Sequence, residues 1–410
     1  MKVFLKSLIL TIRILRNTWF YLLFALLVIP VLLAAEETDS LLLTGCTIHT
    51  MGPQDMIDSG YVKLESGRIT ATGQLAELAP GDHGTRIDLD GAHLLPGFID
   101  IHALMQGETF SDGISIPTGS EDYILSTSTV KSLLSKGITV LVLRNASEET
   151  FQGSSQVIQL RPQSEGGPFV MANSFDYQIN LTGGGGSHNT PADVYERLGH
   201  YYRLRERLTS ARSDRRTLPS GPGTLPEASD RGGLPGNRLY LQIYDLYDVE
   251  RIGLLTRERE WAIMFSGPVN ISFHGDFSGI RSHLKESVFV INPVALTSPE
   301  VAVSDRDFLS LFEAHDVRYA VASFRPVTSH PGLLSSARRL MSFGVSGQKA
   351  LESITQVPGI ALRSAEQLGY IGKGVRANLV AFDGPPARVT SKVILTIADG
   401  RPVWISDQRQ

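Results

Sequence analysis

The order of hydrophobic and polar positions makes the two ends of the chain similar to each other and different from its middle. Near the amino end, residues 41–90 contain short alternating stretches, such as 61–65, separated by turn residues such as Ser66-Gly67. This pattern is typical of short β-strands joined by tight turns. Residues 392–404 repeat the pattern around Asp399-Gly400. We therefore expect both ends to be rich in strands.

The middle of the chain alternates short apolar runs with longer segments in which apolar residues recur at helical spacing. This succession predicts parallel strands joined by helices, as in a (β/α) barrel. Seven strands can be assigned, and the missing element would fall in 205–237, a stretch rich in Pro, Gly and Ser that is typical of a loop. We therefore expect a barrel that is incomplete or distorted there. The predicted strands are 97–102, 138–143, 168–173, 238–243, 261–265, 287–292 and 317–322, and the predicted helices are 121–135, 191–208, 249–259 and 305–314, with Ser346 as the N-cap of a further helix.

The first 35 residues differ from the rest. Four basic residues precede an apolar run over residues 19–35, which ends in Ala34-Ala35. A basic flank, an apolar core and a small-residue end are the features of a secretory signal. The run is also close to the length that spans a bilayer, so a cleaved signal and an uncleaved anchor both fit. We expect an exported protein, periplasmic or otherwise extracytoplasmic, whose contact with a membrane is limited to residues 1–35.

Composition removes several classes of function without identifying one. Of 410 residues, 42% are hydrophobic and 20% are charged, and the net charge is −4. This balance does not favour nucleic acid as a partner. Cys46 is the only cysteine, so no intrachain disulfide can form.

The segment 96–102, Pro-Gly-Phe-Ile-Asp-Ile-His, carries the most specific signal. Its apolar run predicts a buried strand with His102 at the carboxyl end, where a barrel of parallel strands places its chemistry. The segment resembles the first barrel strand of the amidohydrolase superfamily, imidazolonepropionase-like metal-dependent hydrolases with the signature Pro-Gly-Phe-Ile-Asp-x-His-x-His. The position of the second histidine holds Leu104.

The resemblance extends to the far end of the chain. Residues 368–383 are similar to the closing segment of the family, with Ala377-Asn378-Leu379-Val380 where Ala-Asp-Leu-Val is usual. The resemblance implies a (β/α)8-type TIM barrel and a small β-sandwich formed by both chain ends. The implied domains are a signal or anchor at 1–35, a composite sandwich of 36–96 with 360–410, and a barrel of 97–359.

The resemblance also implies where metal ligands belong, and this sequence departs from it at each position. The fifth-strand histidine falls on Gln242, the sixth-strand histidine on Ser266, and the eighth-strand aspartate on Phe324. A catalytic zinc needs about three protein ligands, and leucine and phenylalanine offer no lone pairs. His102 is therefore left as a vestigial ligand without partners, and we assign no catalytic residue, metal ligand or cofactor.

Three other histidines follow predicted strands and are candidates for the barrel mouth: His188, His274 and His330. Together with His102 they would make a rearranged metal site, while surface loops explain them more simply. No Gly-x-Ser-x-Gly sequence supports a serine nucleophile.

We expect an amidohydrolase-like protein that has lost catalysis. It would act as a binding or partner subunit, pairing with an active amidohydrolase paralogue or a second copy of itself, or holding a small molecule at the mouth. The alternative is a working zinc-dependent hydrolase of C–N bonds in non-peptide or cyclic amides, with a rearranged site. A third hypothesis is a membrane-tethered structural protein with a filled pocket.

Overall fold

The computed structural model describes most of the chain beyond residue 39. The described residues are 40–54, 56–79, 85–104, 125–144, 150–172, 176–182, 195, 198–206, 238–243, 248–249, 251–253, 262–266, 287–293, 309–310, 312–362 and 367–407. The predicted signal or anchor, residues 1–35, lies outside them. Within them, no helix has both the length and the apolar character needed to cross a membrane.

Strands are the main elements of the described chain. The first ten are β1 Ser40–Ile48, β2 Ile57–Glu65, β3 Arg68–Gln74, β4 Thr85–Asp88, β5 His93–Pro96, β6 Phe98–Leu104, β7 Ile138–Arg144, β8 Phe151–Ser154, β9 Gln156–Gln159 and β10 Phe169–Ala172. The others are β11 Tyr177–Asn180, β12 Arg238–Gln242, β13 Ala262–Ser266, β14 Val288–Ile291, β15 Arg318–Val321, β16 Arg325–Pro326, β17 Leu379–Phe382, β18 Val393–Ala398 and β19 Arg401–Ile405. Four α-helices have complete bounds: α1 Thr127–Leu134, α2 Leu333–Ser342, α3 Gly347–Glu352 and α4 Gln356–Leu362.

Strands from both ends of the chain form one eight-stranded sheet. Its order is β19-β18-β17-β5-β1-β2-β3, with β4 paired to β1. The central contact joins the two ends directly, because β5 pairs antiparallel with β17. Apolar side chains from both ends bury one shared core, including Leu43, Ile48, Val62, Leu94 and Leu379. The two-layer sandwich itself stays a prediction.

The middle of the chain forms two sheets that are not closed into one. The first has the order β10-β9-β7-β6-β16 and the second β15-β14-β13-β12-β11-β8. The chain itself links them at two seams, Ser155 between β8 and β9 and residues 322–324 between β15 and β16. Strands β6 and β7 run parallel, and β11 to β15 run parallel in succession.

One position of the barrel is filled by reversed chain, which corrects the predicted succession of strands. Residues 151–159, broken at Ser155, pair antiparallel with β7 on one side and with β11 on the other. The predicted strand at 168–173 exists as β10, but it pairs antiparallel with β9 at the edge of its sheet. The strand that pairs parallel with β12 on the side away from β13 is instead β11. Its sequence, Tyr-Gln-Ile-Asn, has no continuous apolar run, so hydrophobic periodicity did not reveal it.

The helix predicted after Ser346 is two helices. The Ser346 hydroxyl accepts a hydrogen bond from the Lys349 backbone N–H at 3.3 Å, so this N-cap prediction is confirmed. Helix α3 ends at Glu352, and α4 begins at Gln356. Pro358 lies in the first turn of α4, where its missing N–H costs no hydrogen bond.

Side chains alternate between the interior of the barrel and its outer face, as the period of a strand requires. The outward set packs with helices α1 and α2 and includes Phe98, Leu141, Leu239, Phe265 and Val321. The inward set forms its own cluster and includes Ile99, Ile101, Val140, Val142, Tyr240, Met264, Val288, Val290, Ala320 and Ala322. The interior is thus filled with side chains, and the site lies where this filling meets the carboxyl ends of the strands.

Candidate functional site at the barrel mouth

His102 lies near the carboxyl end of β6, where the sequence predicted it, and is enclosed by aromatic rings. The residue is only 2% exposed to solvent. The Nδ1 atom shares a hydrogen bond with the Tyr240 hydroxyl. The Phe324 ring lies against the imidazole with 4.2 Å between ring centroids. The imidazole is therefore held by packing and by one hydroxyl.

The surroundings of His102 keep the imidazole neutral. Burial lowers the pKa of His102 to about 3, the positive charge of Arg144 acts in the same direction, and Asp100 opposes both. Burial also raises the pKa of Tyr240 well above its ordinary value, so the phenol keeps its proton. The contact between them therefore joins two neutral groups, and neither is poised to transfer a proton at neutral pH.

Phe324 occupies the position where the resemblance implies an aspartate. It follows β15 in the left-handed backbone region with φ of 49°, which is uncommon for a bulky residue. Its backbone N–H donates to the His102 carbonyl oxygen at 3.0 Å. The ring at the position where the resemblance implies an aspartate thus lies against the His102 imidazole.

Uncharged side chains stand at the other expected ligand positions. Gln242 and Ser266 are paired in register at the ends of β12 and β13, and Asn180 pairs with Gln242 from β11. Ser266 hydrogen-bonds the Tyr240 hydroxyl, and Gln152 Nε2 donates to Gln242 Oε1 at 3.4 Å. Leu104 is half-buried at the end of β6. The amide and hydroxyl groups at these positions thus form hydrogen bonds between neutral side chains.

A buried ion pair, which the sequence analysis missed, lies beside Tyr240. Arg144 ends β7, and its guanidinium donates two hydrogen bonds to Asp176, at 2.8 and 2.7 Å, with both side chains fully buried. The guanidinium carbon lies 3.5 Å from the centroid of the Tyr240 ring. The signal in the sequence was an arginine directly after the apolar run 138–143, which is costly to bury without a partner.

A second buried network, around Asp100, joins the first barrel strand to the last. Its Oδ1 accepts from the backbone N–H groups of His102 at 3.0 Å and Ser323 at 3.2 Å. Its Oδ2 accepts from the Ser323 hydroxyl and from His330 Nε2, the latter at 2.7 Å. Burial raises the pKa of Asp100, but the bonds from His330, Ser323 and His102 outweigh it and hold the pKa below its ordinary value.

Of the three histidines predicted near the mouth, the described chain contains His330 alone. His330 is buried, and both ring nitrogens have partners, since Gly332 N–H donates to Nδ1 at 3.0 Å. His188 and His274 lie outside the described residues. Within the described ranges, no three His, Cys, Asp or Glu side chains group in a way that could hold a metal ion. By their chemistry, the described residues at the implied ligand positions do not fit the hydrolytic metal that the resemblance implies.

Comparison with known proteins agrees with this architecture. No protein-family model and no curated sequence matches the chain. Among solved structures, an amidohydrolase from Thermotoga maritima aligns with a TM-score of 0.64 at 18% identity, covering 89% of this chain and 100% of that one. The chain has the amidohydrolase fold. The recognition made from residues 96–102 and 368–383 is therefore confirmed at the level of structure.

Two further neighbours show how widely this fold is shared. A prolidase complexed with N-methylphosphonate-L-proline aligns with a TM-score of 0.54 at 16% identity, over 90% of this chain and 100% of that one. An ochratoxinase from A. niger aligns at 0.51 and 12%, over 91% and 97%. These amidohydrolase superfamily neighbours imply a TIM-barrel fold, here with unclosed sheets. Identities this low establish the fold and not the chemistry.

Proposed function

We propose that this protein is a catalytically degenerate amidohydrolase-fold protein that acts as a binding or partner subunit. The observation that carries the proposal is the stack of Phe324 on His102, with Tyr240 bonded to the Nδ1 atom of the same imidazole. In this stack, Phe324, at the position implied for the catalytic aspartate, packs directly against the histidine of the first barrel strand. A barrel that keeps its shape in this way retains a surface for ligands or subunits.

The chemistry of the donor set supports the loss of metal-dependent hydrolysis. A hydrolytic zinc needs about three protein ligands, an open position for water and a base to accept the proton of that water. Leu104 and Phe324 cannot donate an electron pair, and Gln242 and Ser266 are weak neutral ligands. Of the two carboxylates described at the site, Asp100 accepts four hydrogen bonds from the protein itself, and Asp176 pairs with Arg144. Among the described residues at these positions, no side chain is left to accept the proton of that water.

The proposal includes a location and a partner. Residues 1–35 would export the chain or anchor it, which places the body outside the cytoplasm. The partner would be an active amidohydrolase paralogue or a second copy, and a small molecule at the mouth is the other form of the role. The composite module of 36–96 with 360–410 and the barrel of 97–359 would be its two domains.

Metal analysis of the full chain, purified without chelator, tests the loss of catalysis. We expect much less than one zinc per chain, with no difference between the native protein, His102→Ala and the control His315→Ala. About one zinc per chain that disappears only in His102→Ala would overturn the proposal and restore the rearranged-site hydrolase.

Purification from native membranes and periplasm, followed by light scattering, tests the partner role. A complex of stable stoichiometry, with itself or with a paralogue, is the expected result. A chain recovered only as a lone monomer, with no ligand released on denaturation, would contradict a binding role.

A further inference from the structure

The Arg144 guanidinium is bound by groups from three other segments of the chain. It pairs with Asp176, and its Nε atom donates to the Ile101 carbonyl oxygen of β6 at 3.0 Å. One face lies 3.5 Å from the centre of the Tyr240 ring of β12. The side chain is fully buried. A charge in this position costs several kcal/mol to desolvate, so it persists only because these contacts compensate it.

The same contacts place the positive charge next to the position of the lost metal site. Tyr240 lies between the two, with its ring under the guanidinium and its hydroxyl on His102 Nδ1. The charge of Arg144 is felt at the imidazole, where it adds to burial in lowering the pKa of His102. Asp176 is further constrained by the Ser155 hydroxyl, which donates to its Oδ1 at 2.6 Å.

We infer that Arg144 is the resident cation of this barrel mouth, occupying with its own guanidinium the electrostatic role of a metal ion and excluding one from His102. The inference rests on the proposed function and extends it, because it explains what stabilises the mouth without metal. Two cations in one low-dielectric interior repel strongly, and Asp176 offsets the Arg144 charge only in part, because that charge still acts on the His102 imidazole. Restoring the missing donors alone would therefore restore only weak zinc binding.

The test restores the donors in two electrostatic backgrounds. Leu104→His, Gln242→His, Ser266→His and Phe324→Asp are introduced together with native Arg144. The same set is then combined with Arg144→Gln/Asp176→Asn, which keeps hydrogen-bonding groups but removes both charges. Zinc affinity of the folded, full-length variants is measured by competition with a chromophoric chelator. We expect zinc to bind at least about tenfold more tightly in the neutral background, which corresponds to about 1.4 kcal/mol.

A second neutral background keeps the test decisive if amides are not tolerated in place of the pair. Arg144→Met/Asp176→Leu refills the space with apolar groups, a replacement that buried ion pairs often accept without loss of folding. As a matched control, the half-buried pair of Lys63 and Glu65, with 3.0 Å between its charged atoms, is neutralised with Lys63→Gln/Glu65→Gln in the same restored chain, and zinc affinity should not change.

The outcomes separate this inference from the proposed function. Equal zinc affinity with and without the Arg144 charge, in variants shown to be folded by circular dichroism, would overturn the inference alone. Stoichiometric zinc in the unmodified chain would overturn the proposed function. A gain in affinity that also follows the Lys63 control would show a general charge effect and would reject the role of Arg144.

Discussion

Acidification should lower the free energy of unfolding, and His102 should account for a large and separable share of that decrease. The pKa of His102 is lowered from 6.5 to about 3, first by burial and then by Arg144. As the pH falls through this window, the unfolded chain takes up a proton at this position and the folded chain does not. Stability is therefore complete above about pH 6.5 and declines as the pH falls towards 3.

The magnitude follows from the size of the shift. Each pH unit within the window costs about 1.4 kcal/mol for one imidazole, so the whole shift corresponds to at most about 5 kcal/mol. Between about pH 6.5 and about pH 4.5 the expected loss from His102 is about 2–3 kcal/mol. A typical domain has about 5–15 kcal/mol in total, so the effect is large enough to measure.

A second pair of imidazoles contributes to the same slope and must be separated. Burial lowers the pKa of His49 to about 4, with His93 acting in the same direction, and their ring nitrogens are 2.9 Å apart. Burial also lowers the pKa of His93. Both are partly solvated, so their contribution is smaller than the shifts alone would suggest. The slope of the native protein therefore exceeds that of one proton.

Urea unfolding at several pH values between about 7.5 and 4.5 measures this slope. Replacing His102 with Gln removes the titrating group, so the variant should lose about one proton from its slope whatever its stability at pH 7. The control Gly347→Ala, which removes no titrating group, should keep the native slope. If His102→Gln retained the native pH dependence in full, the imidazole would be titrating normally and the closed environment described for it would be wrong.

Three further results are expected. Asp100→Asn should lower the free energy of unfolding by about 3 kcal/mol, because the amide cannot accept hydrogen bonds from both Ser323 and His330. Urea unfolding measures this loss, and the exposed control Asp407→Asn should show no comparable change in its midpoint. A near-neutral Asp100→Asn would mean that the hydrogen-bond network does not stabilise the fold. In the same assay, Gly359→Ala should lower the free energy of unfolding by about 2–3 kcal/mol, since the added Cβ would collide with a backbone carbonyl. Gly347→Ala, whose Cβ would have no described atom within 4 Å, should be neutral or slightly stabilising. Equal effects of the two substitutions on stability would contradict this packing. Dialysis against EDTA should leave the melting temperature unchanged within about 1 °C, and a larger drop reversed by zinc would show a structural metal.

Much of the strand content could be predicted because strands of this barrel are apolar on both faces. Each of the seven predicted segments overlaps an observed strand, and the first, 97–102, corresponds to β6. Strand direction could not be predicted in this way, because periodicity along a chain is the same in both directions. For this reason β10 was assigned to the parallel barrel, and the reversed chain at 151–159 was not recognised.

For the candidate site, too, some features could be predicted from the sequence and others could not. The identities of Leu104 and Phe324 exclude metal ligation at those positions without any structure, since hydrocarbon side chains have no lone pairs. The side chains that surround His102 could not be predicted from the sequence. Tyr240 is 138 residues from His102, and Asp176 is 32 residues from Arg144. No local pattern pairs residues at such separations.

The amino-acid sequence by itself determined where the buried strands lie and which of the implied ligand positions carry side chains without lone pairs, because burial and donor chemistry belong to single residues and their neighbours. Only the tertiary structure decided that an arginine, a tyrosine and a phenylalanine close around His102. Their interaction depends on distances and orientations between strands, and these arise only when the whole barrel packs.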